Sequence, residues 1–265
     1  MTEGNIYEHL AQEDYLFGHN TPSLLLYTNA PVVVIGKHQN PWLETDPLKY
    51  PFARRQSGGG AVYHDKGNLN YSVILPKEYY DRDNILQIIQ NALLSLDIET
   101  VPGPGHSILY KDKKISGTAF RQNSRTVLHH GTLLVNTDLR ALKSALISPY
   151  SYNDTKSTKS NPSPVINLNE IIDRLSVADV IHAVLRAFEK HYNLSESHYD
   201  EKIKFKDEFL RNLKKHRSPE WLYSETLAYF QLLNSKSESI KTNKFYWNNK
   251  HLILEDAYEK AGISQ

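Results

Sequence analysis

A mixed α/β fold is what this sequence predicts, with short strands and amphipathic helices interspersed along 265 residues. Three patterns predict it. The run PVVVIG (Pro31 to Gly36) is β-branched and closed by glycine, as a strand buried on both faces would be. Leu69, Tyr71, Val73 and Leu75 alternate with Asn70 and Ser72, which is the period of a strand. Ile85, Leu86, Ile88, Ile89, Ala92 and Leu93 recur at spacings of three and four, as do Val177, Val180, Ile181, Val184, Leu185 and Phe188. Each set makes the apolar stripe of a helix with one buried face.

The remaining elements follow in chain order. Ile6, Leu10, Tyr15 and Phe17 suggest a helix over 6–17, and an extended stretch begins at Leu24 to Tyr27. Asp83 is placed to cap the helix that carries Ile85, and Ser176 the one that begins at Val177. After the punctuation PGPG (Pro102 to Gly105), SILYKDKKISGTAF reads as two strands turning at Lys111 to Lys113. TVLHHGTLLVNTDL (Thr126 to Leu139) reads as a strand that passes Asp138 into a helix from Arg140 to Leu146. Residues 148–165, rich in Ser, Asn, Thr and Pro, read as a long loop, and such loops are usually functional or disordered. KIKFKDEFLRNLKKHR (Lys202 to Arg217) repeats Phe205, Phe209 and Leu213 every four residues, so it reads as a packed helix with solvated lysines rather than a nucleic-acid surface. A last hairpin is expected in KFYWNNKHLILE.

Composition narrows the functional classes. The chain is 40% hydrophobic and 23% charged with net charge +1, enough to bury a full core and without bias toward nucleic acid or an anionic membrane. No apolar run approaches the roughly 18 residues of a spanning helix. The first residues, MTEGNIYEHLAQEDY, are acidic where a transit peptide would be arginine-rich, so a soluble chain is expected, its targeting segment removed or never present. With no cysteine, this sequence has no disulfide framework, no cysteine-ligated metal and no thiolate nucleophile.

The stretch RRQSGGGAVYHDKGNLNYSVI, from Arg54 to Ile74, carries the chemistry. Three successive glycines let backbone amides approach a ligand closely, and such amides cradle anions, phosphate above all. The run leads into a strand and not a helix, so neither familiar phosphate-loop fingerprint applies, and a bulge or tight turn explains it as well. Arg55 could present its fork of donors to phosphate or carboxylate oxygens, or either arginine could be an ordinary surface residue. In KKISGTAF, Lys114, Ser116 and Thr118 alternate and would share one face of a strand, away from Ile115 and Ala119. Lys114 is either a solvated turn lysine or a point charge aimed where negative charge gathers. His129 and His130 are adjacent on a strand and point to opposite sides, and no HxxxH or HExxH spacing occurs. For these two and for His64 beside Asp65, a hydrogen-bonded structural histidine is the better reading, and no metal site is expected.

Taken in order, IGKHQNPWLE, RRQSGGGAVYHDKGNLNYS, KKISGTA and HHGTLLVNTDL resemble the lipoate-protein ligases and lipoyltransferases over about residues 5 to 195. The resemblance implies the catalytic-domain fold shared with biotin protein ligases, mixed sheets flanked by helices, over residues 1–196. It implies a basic helix and a truncated small C-terminal extension over 197–265. It implies transfer of a lipoyl group from lipoyl-AMP to a lysine of apo lipoyl-domain proteins, the E2 subunits of 2-oxoacid dehydrogenases and the glycine cleavage H protein. ATP and Mg2+ would be needed if the chain also makes the adenylate from lipoate. Lys114 would hold the lipoyl carboxyl oxygen and the phosphate, with Arg55 at the phosphate region. Gly60, Ala61, Val62 and Tyr63 would follow the adenosine with their backbone. Ser57, Gly58, Gly59, His64, Asn68, Ser116, Thr118 and His130 complete the implied binding set, and Asn70 joins Asn68 and His64 in orienting groups.

Three departures tune that expectation. His106-Ser107 stands where the family commonly has an Asn-Asp or Phe-Asp pair, and KSNPSPVINL (Lys159 to Leu168) stands where bacterial ligases have an arginine-bearing loop like SRVTNL. SPYSYNDTKS resembles the eukaryotic mitochondrial lipoyltransferases more, and the sequence ends at ILEDAYEKAGISQ where many relatives continue. A transferase using ready-made lipoyl-AMP, or lipoyl groups from another carrier protein, is therefore expected over a complete ligase. A non-catalytic lipoate-binding or carrier-docking homologue is the alternative. The mitochondrial matrix is the expected compartment, otherwise the cytoplasm, and a separate chain could supply the C-terminal part.

Overall fold

A computed structural model describes residues 4–155, 157–193, 201–224 and 229–232. Along the chain, α1 (Ile6–Gly18) is followed by β1 (Ser23–Tyr27), β2 (Val32–Ile35), α2 (Pro41–Glu44), β3 (Phe52–Arg54) and β4 (Val62–His64). The strand β5 (Asn68–Pro76) leads to α3 (Arg82–Leu94), β6 (Val101–Gly103), β7 (Ser107–Tyr110), β8 (Lys113–Ser116), β9 (Thr118–Gln122) and β10 (Thr126–Leu134). Then come α4 (Leu139–Ala145), β11 (Ser151–Thr155), α5 (Val177–Tyr192), α6 (Asp207–Arg217) and β12 (Tyr229–Leu232). The chain divides into two compact units, one of Met1–Ala30, His64–Leu139 and Pro162–Leu213, the other of Pro31–Tyr63, Arg140–Asn161 and Lys214–Gln265.

The first unit is built on an antiparallel sheet in the order β1–β5–β10–β9. Leu69, Tyr71, Val73 and Leu75 of β5 pack with the expected stripes of α3 and α5 into one core. At roughly 1.5–3 kcal/mol for each large side chain buried, that stripe is what holds both helices to the sheet. The opposite face of the sheet is covered too: Tyr27, Ile74 and Leu128 pack with Ala11, Leu16 and Phe17 of α1. The alternation in β5 therefore does not mark a wet face. Asn70 and Ser72 are buried under α1, where Asn70 Nδ2 donates to Tyr27 O (3.1 Å) and Ser72 Oγ donates to the Glu13 carboxylate. A second antiparallel sheet, β6–β7–β8, stands beside these elements in the same unit.

The cap of α3 is Asp81 and not Asp83. Its Oδ1 accepts from Asp83 N (2.8 Å) and Asn84 N (3.1 Å), because an N-cap must precede the first helical residue, and Asp83 is already inside the first turn. Asp81→Ala is accordingly expected to cost about 1 kcal/mol, read as a lowered urea midpoint at unchanged slope, and Asp83→Ala much less. Ser176 caps α5 as expected, in a reciprocal pair with Asp179.

Three expectations are corrected. KKISGTAF is not one strand: β8 pairs with β7, β9 pairs with β10, and Gly117 carries the chain from one sheet to the other. Residues 151–155, expected within a loop, form β11 and pair antiparallel with β12. Phe205 is 82% exposed because a 3-10 turn over Glu201–Phe205 precedes α6, so only Phe209 and Leu213 lie against the α1 cluster. The hairpin expected at 244–255 and the boundary expected near 196–199 lie outside the described residues.

The second unit holds a three-stranded sheet in the order β3–β2–β4, with β2 and β3 parallel from Val33↔Phe52 to Ile35↔Arg54. All four residues of β2 are buried, as its composition requires. Arg54 is fully buried at the end of β3, and its guanidinium bonds to the carbonyls of Lys37 (2.8 Å), Gln39 (2.6 Å), Trp221 (3.0 Å) and Leu222 (2.8 Å).

Candidate functional site

The glycine stretch grows out of the β2–β3 pair. Arg55 N bonds to Ile35 O (3.0 Å) and Lys37 N to Ser57 O (2.8 Å), so the ladder continues past β3 before the chain turns away. Arg55 is buried, and its guanidinium faces the loop's own backbone: Nη2 donates to Gly58 O (2.5 Å) and Gly60 O (2.8 Å), Nη1 to Val34 O (3.1 Å), Nε to Ser57 Oγ (2.9 Å). Arg55, expected at the phosphate region, is thereby tied to the backbone of the glycine loop. Gly59 sits at φ 85, where side chains are strained, and a Cβ on Gly36 would lie 2.3 Å from Gly59 O. Both positions need glycine for the loop to close on β2.

The serine-rich segment reaches this loop within the same unit. Ser160 Oγ accepts from Ala61 N (2.7 Å) and Gln39 Nε2 (3.1 Å) and donates to Glu44 Oε2 (2.5 Å), which fills the whole capacity of a hydroxyl. Gln39 Oε1 in turn accepts from Gly36 N (2.8 Å). Glu44 ends α2 and is buried, and burial raises its carboxyl above the usual range. Gln39 and Glu44 lie in a segment that carries the resemblance and Ser160 in one that departs from it, and nothing in their types or spacing tells that they meet. Val62 and Tyr63 open β4, Tyr63 buried and Val62 half-buried.

In the first unit, Lys114 is fixed on both sides of its backbone, opposite Leu109 of β7 and bonded to the chain at the end of the serine-rich segment through Lys114 N to Pro164 O (2.8 Å) and Ile166 N to Lys114 O (3.2 Å). Its side chain doubles back over Gly117: a Cβ there would stand 3.1 Å from Lys114 Cε and 3.2 Å from Nζ. The ammonium is half-buried, burial alone lowers its pKa, and it has no carboxylate partner among the described residues. Gly117 N bonds to Thr132 Oγ1 (3.3 Å) and Thr132 N to Gly117 O (3.0 Å), which seats the lysine's turn on β10. Ser116 is buried at the end of β8, whereas Thr118 belongs to β9 and bonds to His106 O (2.9 Å), so the shared face expected for 114, 116 and 118 is broken at Gly117.

The histidines are hydrogen-bonded, as expected. His129 Nδ1 meets Tyr80 Oη (3.2 Å), and burial pulls its pKa down to about 3, so it is neutral. On the opposite face, His130 Nδ1 lies 3.2 Å from both carboxylate oxygens of Glu13. His64 Nδ1 meets Asn29 Nδ2 (3.1 Å), Asn29 Oδ1 meets His9 Nδ1 (2.9 Å), and Asn68 Nδ2 donates to Asn70 Oδ1 (3.0 Å). Asp65 is a turn residue that accepts from Gly67 N (2.9 Å) and Asp138 N (2.8 Å), and Ser107 bonds to Pro104 O (2.8 Å). Among the described residues, no group of three or more His, Asp or Glu is placed to hold a metal.

Residues 5–189 match the family model described as "Lipoyl protein ligase A/B catalytic domain". A relative named "Lipoate-protein ligase A" in Bdellovibrio bacteriovorus is 35% identical over 97% of this chain and 78% of its own length. One named "Lipoyl amidotransferase LIPT1, mitochondrial" in Mus musculus is 37% identical over 84% of this chain, which spans 64% of that protein. The solved structure "Crystal structure of lipoate-protein ligase A bound with ATP" is similar at a TM-score of 0.70 and 27% identity, over 83% of this chain and 94% of that one.

Proposed function

The chain belongs to the lipoyl protein ligase A/B catalytic-domain family, and on that footing we propose that it transfers a lipoyl group from lipoyl-AMP to a lysine of apo lipoyl-domain proteins. The observation that carries the reading is the half-buried ammonium of Lys114, which lacks a carboxylate partner among the described residues and is seated on Gly117. An acyl-adenylate needs no protein nucleophile. It needs positive charge where its carbonyl oxygen and departing phosphate gain negative charge, and Lys114 is the group we assign to that. Within the second unit, Arg55 fixes the shape of the Gly58–Gly60 backbone, and Gly60 to Tyr63 are the residues we assign to follow an adenosine. In the reaction, the acceptor amine forms the amide bond and the carbonyl's bond to the phosphate oxygen of AMP breaks.

ATP with Mg2+ would be required only for making the adenylate, and a relative solved with ATP supports nucleotide binding in this family. Ser107, turned back onto Pro104 O, offers no carboxylate at the family's aspartate position, which favours the transferase reading over the two-step ligase. The likeness to the mouse protein favours an amidotransfer from another lipoylated carrier as the second reading, and a mitochondrial compartment over a cytoplasmic one. The partners are the E2 subunits and the H protein. Mass spectrometry of an apo lipoyl domain tests these readings in three tubes: lipoate with ATP and Mg2+, lipoyl-AMP, and a lipoylated H protein as donor. A lipoyl mass gain from lipoyl-AMP is the expected result. Gain from the carrier alone selects the amidotransferase, and complex formation without mass gain in any tube overturns the enzyme reading.

A further inference from the structure

Tyr71 is fully buried within β5 and stands opposite Gly131 of β10, which in turn stands opposite Thr118 of β9. Residues in such a row share one face of the sheet, so a glycine in the middle leaves a gap that a neighbour can cover. The phenol of Tyr71 covers it. A Cβ on Gly131 would lie 2.5 Å from both Cζ and Oη of Tyr71, and 2.9 Å from Gly117 O. The end of the phenol and the Gly117 carbonyl therefore converge on one point beside Gly131, and a side chain there would displace both.

Gly117 is also where the Lys114 side chain rests, since a Cβ on it would stand 3.1 Å from Lys114 Cε and 3.2 Å from Nζ. The missing side chains at 131 and 117 thus make room for a phenol and a lysine in turn, all within the first unit. Ser116, next in the chain to Gly117, brings its hydroxyl to that of Tyr71. Both oxygens are shut off from water, and among the described residues neither makes a hydrogen bond outside this pair. Burial pushes the phenol's pKa up, so Tyr71 stays neutral and brings no negative charge to the lysine. Packing against α3 and α5 would be served as well by phenylalanine, because a buried hydroxyl whose bonding capacity is not filled costs stability.

Building on the lipoyl-transfer reading, we propose that Tyr71 is a positioning residue for the reaction: its hydroxyl, wedged over Gly131 against Ser116, fixes the Ser116–Gly117 turn and through it the place of the Lys114 ammonium. The turn's other support comes from β10, where Gly117 N donates to Thr132 Oγ1 (3.3 Å) and Gly117 O accepts from Thr132 N (3.0 Å). The first of these bonds is long, so β10 alone holds the turn loosely. Stabilising a developing charge depends on where the ammonium stands, and a misplacement of about 1 Å can cost roughly a hundredfold in rate. Tyr71 itself touches no reacting atom in this account. Its effect passes entirely through Lys114.

A double-mutant cycle in the full chain tests this, with transfer from lipoyl-AMP to an apo lipoyl domain followed by mass. Tyr71→Phe removes one oxygen and keeps the ring over Gly131. It is expected to lower kcat at least about tenfold, to leave KM for lipoyl-AMP within about threefold, and not to lower the urea midpoint. In the Lys114→Met background, where no ammonium remains to be placed, the same substitution is expected to change the residual rate by less than about twofold. A side chain that merely holds the fold would instead lower the rate alike in both backgrounds. Ser116→Ala removes the other hydroxyl and is expected to repeat the loss and its dependence on Lys114, so it decides the matter should Tyr71→Phe fail to fold. Full kcat in the variant that folds, or equal losses in the wild-type and Lys114→Met backgrounds, would overturn the proposal while leaving lipoyl transfer intact. A wild type that leaves the domain unmodified overturns the lipoyl-transfer reading, and the proposal with it.

Discussion

Lys114→Ala is expected to reduce lipoyl transfer from lipoyl-AMP to an apo lipoyl domain by at least 10²–10³-fold. That is the usual loss when one preorganised charge at a developing oxyanion is removed, about 2.7–4 kcal/mol of barrier. The charge matters more here than a surface charge would. Lys114 is partly withdrawn from water, has no carboxylate among the described residues to share it, and is held by backbone bonds on both sides. Lys114→Met separates charge from packing: methionine keeps much of the chain that covers Gly117, so stability should move by less than about 1.5 kcal/mol while the rate falls as in the alanine variant. The pH dependence has a definite sign. Burial lowers the pKa of Lys114, and the protonated form is the useful one, so kcat/KM falls as pH rises through that lowered value, earlier than a solvated lysine would dictate. A bound adenylate opposes this by favouring the ammonium, so kcat should persist to higher pH than kcat/KM. Mass analysis over a pH series measures both, and a fully active Lys114→Met would remove the basis of the proposed function.

Much of this was legible because local pattern and tertiary demand coincide. The apolar stripes of α3 and α5 are the ones that pack, since a helix with one apolar side has only one way to hide it. β2 reads as a strand buried on both faces and is one. The failures have a common cause, which is that burial of polar groups is decided by partners distant in sequence. The alternation of Asn70 and Ser72 marks a strand face, but not the partners that bury them, a side chain of α1 and the backbone of β1. The fork of donors is legible in Arg55, whereas its hydrogen bonds to the carbonyls of Gly58 and Gly60 are not. Glu13, 59 residues before its bond to Ser72 and 117 before His130, carries no local signal, and neither does the meeting of Glu44 with Ser160 across 116 residues. Gly117 reads as part of one strand because alternation persists across it, and only the pairing of β8 and β9 with different partners shows the break.

Arg54→Met is expected to be the most destabilising single change in the second unit, by about 3–5 kcal/mol. Two effects oppose each other. Removing the guanidinium relieves the cost of burying a cation, which favours the variant by several kcal/mol. It also strands the buried carbonyls of Gln39, Trp221 and Leu222 and the part-buried one of Lys37, at roughly 1–3 kcal/mol for each buried acceptor left without this donor. The second effect wins because the acceptors come from two separate stretches of chain, 36–39 and 221–222, which the one guanidinium joins. Lysine does not rescue: its ammonium has three donors at one point, whereas the guanidinium donates from three nitrogens spread in a plane. Trp221 reports the event directly, since its Nε1 donates to Arg54 O (2.7 Å), so release of 221–222 would expose the indole and shift its emission to the red before global unfolding. Urea titration followed by tryptophan emission measures both quantities. A variant within about 1 kcal/mol of wild type, with unshifted emission, would mean that the segment around Trp221 is held by its aromatic packing and not by the arginine.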